Sequence, residues 1–123
     1  MFKIIFYQNK RGESELLEFI QGLNKKADTS KDARIALKQI VLYINILEKI
    51  GTLAGEPFIK HIEGSFWELR PGRNRILFFS LRTNKILLLH CFLKSTRKTP
   101  KSEILKAKRE VSDWIERNDH NGK

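Results

Sequence analysis

The apolar positions along the chain follow two spacings, one helical and one extended. Phe2 to Tyr7 form a short aromatic and β-branched run that predicts a first strand, broken by Gln8 to Gly12. From Glu13 onward, Leu16, Leu17, Phe19, Ile20 and Leu23 recur at intervals of three and four, which is one buried face of a helix. Glu13, Glu15 and Glu18 favour its N-terminal half through the macrodipole, and Lys25 and Lys26 suit its C-terminal end. Thr29 and Ser30 are candidate N-caps, with Asp32 as a capping-box partner, for a second helix marked by Leu37, Ile40, Val41, Ile44, Leu47 and Ile50. Gly51 is placed to end that helix in the left-handed conformation. A connection of about five residues leaves the two helices little choice but an antiparallel hairpin.

After a loop containing Gly55 and Pro57 the spacing changes. Three strands are predicted, one ending in Phe66 to Arg70, one from Arg75 to Arg82 and one from Lys85 to Leu93, with Pro71-Gly72 and Thr83-Asn84 as turns. Thr99-Pro100 then supplies an N-cap and a first-turn proline for a last helix whose apolar stripe is Ile104, Ala107, Val111, Trp114 and Ile115. The polar residues Asn118 to Lys123 are expected to fray. The expected fold is α+β: an N-terminal strand, an antiparallel helical hairpin, a three-stranded antiparallel meander and a C-terminal helix. With no repeat, low-complexity segment or linker, residues 1–123 read as a single domain.

The turns also predict which side chains share a face, because directly opposed residues do. A two-residue Thr83-Asn84 turn sets Arg82 opposite Lys85, Leu77 opposite His90 and Arg75 opposite Phe92, with Arg73 projecting toward Lys94. With two or four loop residues after Arg70, the expected mixed face carries Phe66, Glu68, Arg70, Arg75, Leu77, His90, Phe92 and Lys94. The opposite face collects Trp67, Leu69, Ile76, Phe78, Leu87, Leu89, Cys91 and Leu93 and is expected to be the core.

Charge makes the mixed face the informative one. The chain has a formal net charge of +10, and residues 70–101 hold nine Lys or Arg and no Asp or Glu, whereas the flanking segments are nearly neutral. A positive field confined to two hairpins points to a phosphate backbone as partner. Arg70 and Arg75 are expected to oppose each other and repel, so a sequence selected only for stability would place acids between them. Phe66 and Phe92 among the cations offer stacking surfaces of the kind that hold unpaired bases. The bland alternative is a solvated sheet edge. A lone Cys91 inside an apolar run reads as a small core residue, suits a reducing cytoplasm and forms no internal disulfide. The Phe2–Tyr7 run is too short for a signal-peptide core, and no stretch approaches membrane-spanning length, so no membrane partner is expected.

Trp67-Glu68-Leu69-Arg70 followed by Arg73 and Arg75, then Leu89-His90-Cys91-Phe92-Leu93-Lys94 and Arg97-Lys98-Thr99-Pro100 leading into a helix, resembles the HigB branch of the RelE/ParE toxins. The likeness extends from about Phe2 to Trp114. Where many relatives carry two adjacent lysines after the phenylalanine, this chain has Lys94-Ser95, and no role of a second lysine is carried over. The resemblance implies a RelE-like fold and the toxin of a type II toxin–antitoxin system, a cytoplasmic mRNA interferase that cleaves messages on the translating ribosome. It implies a HigA-like helix-turn-helix antitoxin as partner, and contact with operator DNA only through the antitoxin complex. The implied cut uses neither metal nor other cofactor: a ribose 2′-hydroxyl attacks the adjacent phosphate.

The residue chemistry is compatible with that cut. Arg70, Arg73, Arg75 and Lys94 are candidates to neutralise a phosphorane, and arginine offers phosphate a bidentate fork. Glu68 is a candidate base or a local counter-ion of Arg70 or Arg75. His90 has the right intrinsic chemistry for proton transfer, yet its apolar neighbours equally suit a structural histidine. Lys60, His61, Arg97 and Lys98 are candidate RNA contacts. Two other readings compete, a ParE-like poison of DNA gyrase on the same fold and a non-catalytic nucleic-acid-binding module.

Overall fold

The computed structural model describes residues 1–119. Strand β1 (Lys3–Phe6) leads into helix α1 (Glu15–Lys26) and helix α2 (Lys31–Ile50), which ends in a 3-10 turn at Gly51–Ala54. Four strands follow, β2 (Ile59–Glu63), β3 (Phe66–Leu69), β4 (Asn74–Leu81) and β5 (Lys85–Leu93), and the described chain closes with helix α3 (Lys101–Asp119). The class is the α+β arrangement expected, with one strand more: the stretch with Lys60 and His61, expected to lead into the first meander strand, is a separate strand, β2, that pairs antiparallel with β3. Ile59, Lys60, His61, Ile62 and Glu63 do not alternate, since two polar residues stand between the isoleucines, and the register is irregular between His61 and Glu63, so period-two spacing does not mark a separate strand.

Ser14 and Ser30 start the two helices, each side-chain oxygen accepting a backbone N–H three residues on, from Leu17 at 3.2 Å and from Ala33 at 3.1 Å. Of the two expected caps for α2, Ser30 rather than Thr29 fills the role. Gly51 ends α2 with φ 58° and ψ −140° while the ring of Phe2 lies against it. A Cβ there would stand 2.5 Å from Phe2 Cζ. Gly51→Ala therefore combines a strained backbone with overpacking, and an expected loss of roughly 2–5 kcal/mol would show as a lowered denaturation midpoint in urea.

The sheet order is β1-β5-β4-β3-β2, with β1 parallel to β5 and every other pair antiparallel. Helices cover both faces. Leu16, Ile40 and Leu47 of α1 and α2 pack with Leu69, Ile76, Phe78, Ile86 and Leu88, and Trp67 and Cys91 join them at partial burial. On the other face Ala107, Val111 and Trp114 of α3 pack with Leu77, Leu87 and Leu89.

Leu87 and Leu89 thus sit on the face opposite to the one expected, and Leu93 is exposed. The hairpin turn is Arg82-Thr83-Asn84, so Leu81 rather than Arg82 opposes Lys85, and a bulge at Leu89 then shifts the register back. The two one-residue offsets cancel. Beyond the bulge Leu77 opposes His90 and Arg75 opposes Phe92, the expected pairs. A bulge inserts a residue with no distinctive chemistry, so alternation alone does not reveal it.

Helix α3 begins one residue later than expected: the carbonyl of Pro100 accepts from Glu103 N and Ile104 N, and Thr99 does not cap it. The expected fraying does not reach Asn118, which is helical and donates to the carbonyl of Trp114 at 2.8 Å. The remainder of that expectation, residues 120–123, lies outside the described residues.

Candidate nucleic-acid interface

Four loop residues, Arg70-Pro71-Gly72-Arg73, join β3 to β4, and Glu68 opposes Leu77 in the register. That loop length puts Glu68 and Arg75 on the same face, at the end of the sheet that α3 leaves uncovered. Lys60 opposes Glu68 across β2 and β3 and joins them there. The segment from Lys94 to Pro100 passes over this end, tethered at one side by Lys94 N donating to the carbonyl of Arg73 at 2.8 Å.

Glu68 is 3% exposed. Its Oε1 faces Arg70 Nε at 3.5 Å and Arg75 Nε at 3.8 Å, and its Oε2 accepts a hydrogen bond from Thr99 Oγ1 at 2.7 Å. Arg75 is 6% exposed, and its Nη1 donates to the carbonyls of Gly72 at 2.8 Å and Asn74 at 2.9 Å. Nη1 is therefore fixed by two hydrogen bonds, Nε lies at ion-pair distance from Glu68, and Nη2 has no hydrogen bond or ion pair among the described residues. Burial, and then the charge of Arg70, hold the Arg75 pKa below its usual value. Lys94, Arg73, Arg97 and Lys98 are exposed around it. A groove of about 410 Å³ is lined by Gly72, Arg73, Arg75, Lys94, Ser95, Thr96 and Arg97, and a small recess beside it by Glu68, Phe92 and Lys98 among others.

The structure thus gathers Glu68, Arg70, Arg73, Arg75, Lys94, Arg97 and Lys98 in one place, with Lys60 on the same face. Two other candidates part from them. His61 opposes Trp67, which packs toward the α1–α2 layer, and the two rings lie 4.5 Å apart; its Nε2 is 2.7 Å from the carbonyl oxygen of Gly64. Adjacent residues of a strand point to opposite faces, so Lys60 and His61 do not act on one ligand from one side. His90 has no exposure: Nδ1 lies 2.5 Å from Glu110 Oε1 and Nε2 lies 2.9 Å from Glu103 Oε1, both on α3. A ring closed off from solvent with both nitrogens occupied has no free atom to offer a 2′-hydroxyl. Phe66 likewise packs edge-on against Phe79, at 4.8 Å, beneath the α3 layer and not as a platform beside the cations.

Thr99 went unrecognised as part of this site because Thr-Pro before an apolar stripe is a helix-start signal. Its hydroxyl goes to Glu68 instead. Cys91 is partly buried in the α1–α2 core, and burial pushes its thiol up to about 11. At pH 8 a thiol with that pKa is ionised in only about one molecule in a thousand, so alkylation by iodoacetamide is expected to be slow and to keep rising about tenfold per pH unit through pH 10. Levelling off near pH 9 would mark an ordinary, solvated thiol.

Among the described residues no group of three or more His, Cys, Asp or Glu is arranged to hold a metal ion, and no helix is long and apolar enough to cross a membrane. The fold and the groove define a small basic α+β protein of RelE-like architecture. Residues 18–112 match the phage-derived protein Gp49-like family, and the chain belongs to that family. A chain of the heterotetrameric YoeB–YefM toxin–antitoxin complex from Staphylococcus aureus is similar in fold, with a TM-score of 0.50 and 13% identity over 77% of this chain and 99% of that one. A second structure of the YoeB–YefM complex from the same organism gives a TM-score of 0.47 at 12% identity over the same shares of the two chains. No curated protein shows significant sequence similarity to the chain.

Proposed function

We propose that this protein is the single-domain toxin of a type II toxin–antitoxin system, a cytoplasmic endoribonuclease that cuts mRNA on the ribosome and stops translation. The observation that carries the reading is the groove itself: among the described residues Arg73, Arg75, Lys94 and Arg97 line one cavity with no acid in its lining, and Glu68, the one acid lining the adjoining recess, is buried. Its position on a RelE-like fold supports the toxin reading, as does the likeness to a chain of a toxin–antitoxin complex.

In the proposed reaction a ribose 2′-oxygen attacks the adjacent phosphorus, the bond from phosphorus to the 5′-oxygen breaks, and a 2′,3′-cyclic phosphate and a 5′-hydroxyl result. The 2′-hydroxyl loses its proton and the departing 5′-oxygen gains one. Arg75, fixed by Gly72, Asn74 and Glu68, presents its Nη2 edge toward the charge that grows on the phosphorane, and such preorganised donors supply a large part of catalysis. Arg73 and Lys94 add charge from either side, while Lys60, Arg97 and Lys98 hold flanking phosphates. Glu68, with both oxygens engaged, orients arginines in this reading. The ribosome contributes by aligning the 2′-hydroxyl in line with the leaving oxygen. The Trp67–Arg75 and Phe92–Pro100 patterns favour the HigB branch and an antitoxin with a helix-turn-helix domain, through which operator DNA is reached.

The test is cleavage of a defined mRNA by the purified protein, with and without translating ribosomes and with EDTA present. Ribosome-dependent products ending in a cyclic phosphate, together with rescue of growth by the adjacent open reading frame, are the expected result. Inhibited supercoiling by gyrase with intact mRNA would instead establish the gyrase-poison reading.

A further inference from the structure

The cationic groove has two walls from distant parts of the chain: Arg70 to Arg75 at the β3–β4 turn, and Lys94 to Lys98 in the segment before α3. Among the described residues two hydrogen bonds tie these walls, or the residues next to them, together. One is the backbone bond from Lys94 N to Arg73 O. The other is the hydrogen bond from Thr99 Oγ1 to Glu68 Oε2, joining residues 31 apart in the chain.

The second link is chemically specific. Thr99 stands one residue outside the cap position of α3, which Pro100 occupies, so its hydroxyl is not drawn to the free N–H groups of that helix. It donates instead to a buried carboxylate whose other oxygen faces Arg70 and Arg75. With Oε2 held, Oε1 keeps its aim on the two guanidinium groups. With Oε2 released, the carboxylate is free to rotate about its last bond, and the position of Arg75 Nη2 is no longer defined by three contacts.

We propose that Thr99 is a positioning residue for the phosphate site: through Glu68 it sets the orientation of Arg75, while the backbone link at Lys94 keeps the groove assembled. The proposal rests on the nuclease reading above and adds to it a residue that touches no substrate.

The division of labour predicts a split in kinetics. Thr99→Val, which keeps shape and removes the hydroxyl, is expected to lower kcat for ribosome-dependent cleavage about tenfold, as expected for losing one hydrogen bond to a charged group, with KM changed less than twofold. Thr99→Ser is expected to restore kcat. Thr99→Ala, with room for a water beside Glu68, is the second variant should the valine protein fail to fold, and it is expected to show the same split. An unchanged kcat in a folded hydroxyl-less variant, a loss confined to KM, or failure of serine to rescue would overturn the proposal.

A second measurement needs no activity. In 15N-labelled protein Arg75 Nη1, bonded to two carbonyls, is expected to exchange slowly with Nη2 by rotation about the Nε–Cζ bond in the wild type and in Thr99→Ser, and at least tenfold faster in the hydroxyl-less variant. Equal exchange in all of them would show that Thr99 does not hold Arg75. A wild type that leaves mRNA intact would sink the nuclease reading by itself, and the exchange rates would still decide whether Thr99 orders the arginine.

Discussion

Arg73→Ala is expected to abolish growth arrest and to lower ribosome-dependent mRNA cleavage by about 10²–10³-fold, the range found when one preorganised donor to a developing anion is removed. The melting temperature should stay put. Arg73 is exposed at the mouth of the groove, and its side chain makes no hydrogen bond or ion pair with the described residues. The link that it does provide, acceptance of the Lys94 N–H, is made by its backbone carbonyl and survives the substitution. Arg75→Ala is a poorer probe, because that guanidinium also satisfies two backbone carbonyls and a buried carboxylate, so activity and stability fall together. Arg73→Lys should recover part of the activity, since it keeps the charge but loses the planar fork. A folded, fully toxic Arg73→Ala protein would remove the groove from the mechanism.

The second large effect is on stability. His90→Leu takes away the ring nitrogens that lie 2.5 Å from the buried Glu110 carboxylate and 2.9 Å from that of Glu103, and leaves both without this hydrogen-bond partner. Stripping a buried carboxylate of its hydrogen-bond partner costs more than it would for a neutral group, on the order of 3–5 kcal/mol. For a domain of this size that corresponds to roughly 10–25 °C in Tm, readable by circular dichroism at 222 nm. Removing the stranded carboxylate as well, in His90→Leu/Glu110→Leu, should recover much of the loss, because residues in one network do not act additively. A catalytic histidine predicts the reverse pattern: a single variant that melts like the wild type and cleaves nothing. That outcome would return His90 to the active site and require α3 to move away from it.

These two residues show how far sequence reading reaches. Arg73 and His90 sit at corresponding places in the same resemblance, each in a recognisable motif, and the register argument puts both strands' polar residues on one face. It holds for both: Arg75 and Leu77 do oppose Phe92 and His90. What divides them is the third layer. Helix α3 covers the half of that face containing His90 and stops short of the half containing Arg75, so one residue becomes an internal hydrogen-bond partner of two glutamates and the other a site residue. Nothing in β5 records where a helix beginning at Lys101 comes to rest. His61 parts from Lys60 for a simpler reason: neighbours in a strand point to opposite faces, and the pairing of β2 with β3 puts Lys60 opposite Glu68 and His61 opposite Trp67.

The sequence by itself determined the local features: the two helices of the hairpin, Gly51 as the end of α2, the α+β class, and the concentration of positive charge between residues 70 and 101. All of these depend on neighbours a few positions away, or on counting charges. Tertiary structure alone decided the bulge at Leu89, the place of β1 beside β5, the burial of His90 and the hydrogen bond from Thr99 to Glu68. Each of those is a competition between partners far apart in the chain for the same hydrogen bond or the same patch of sheet. Such a competition is settled only when the layers have packed.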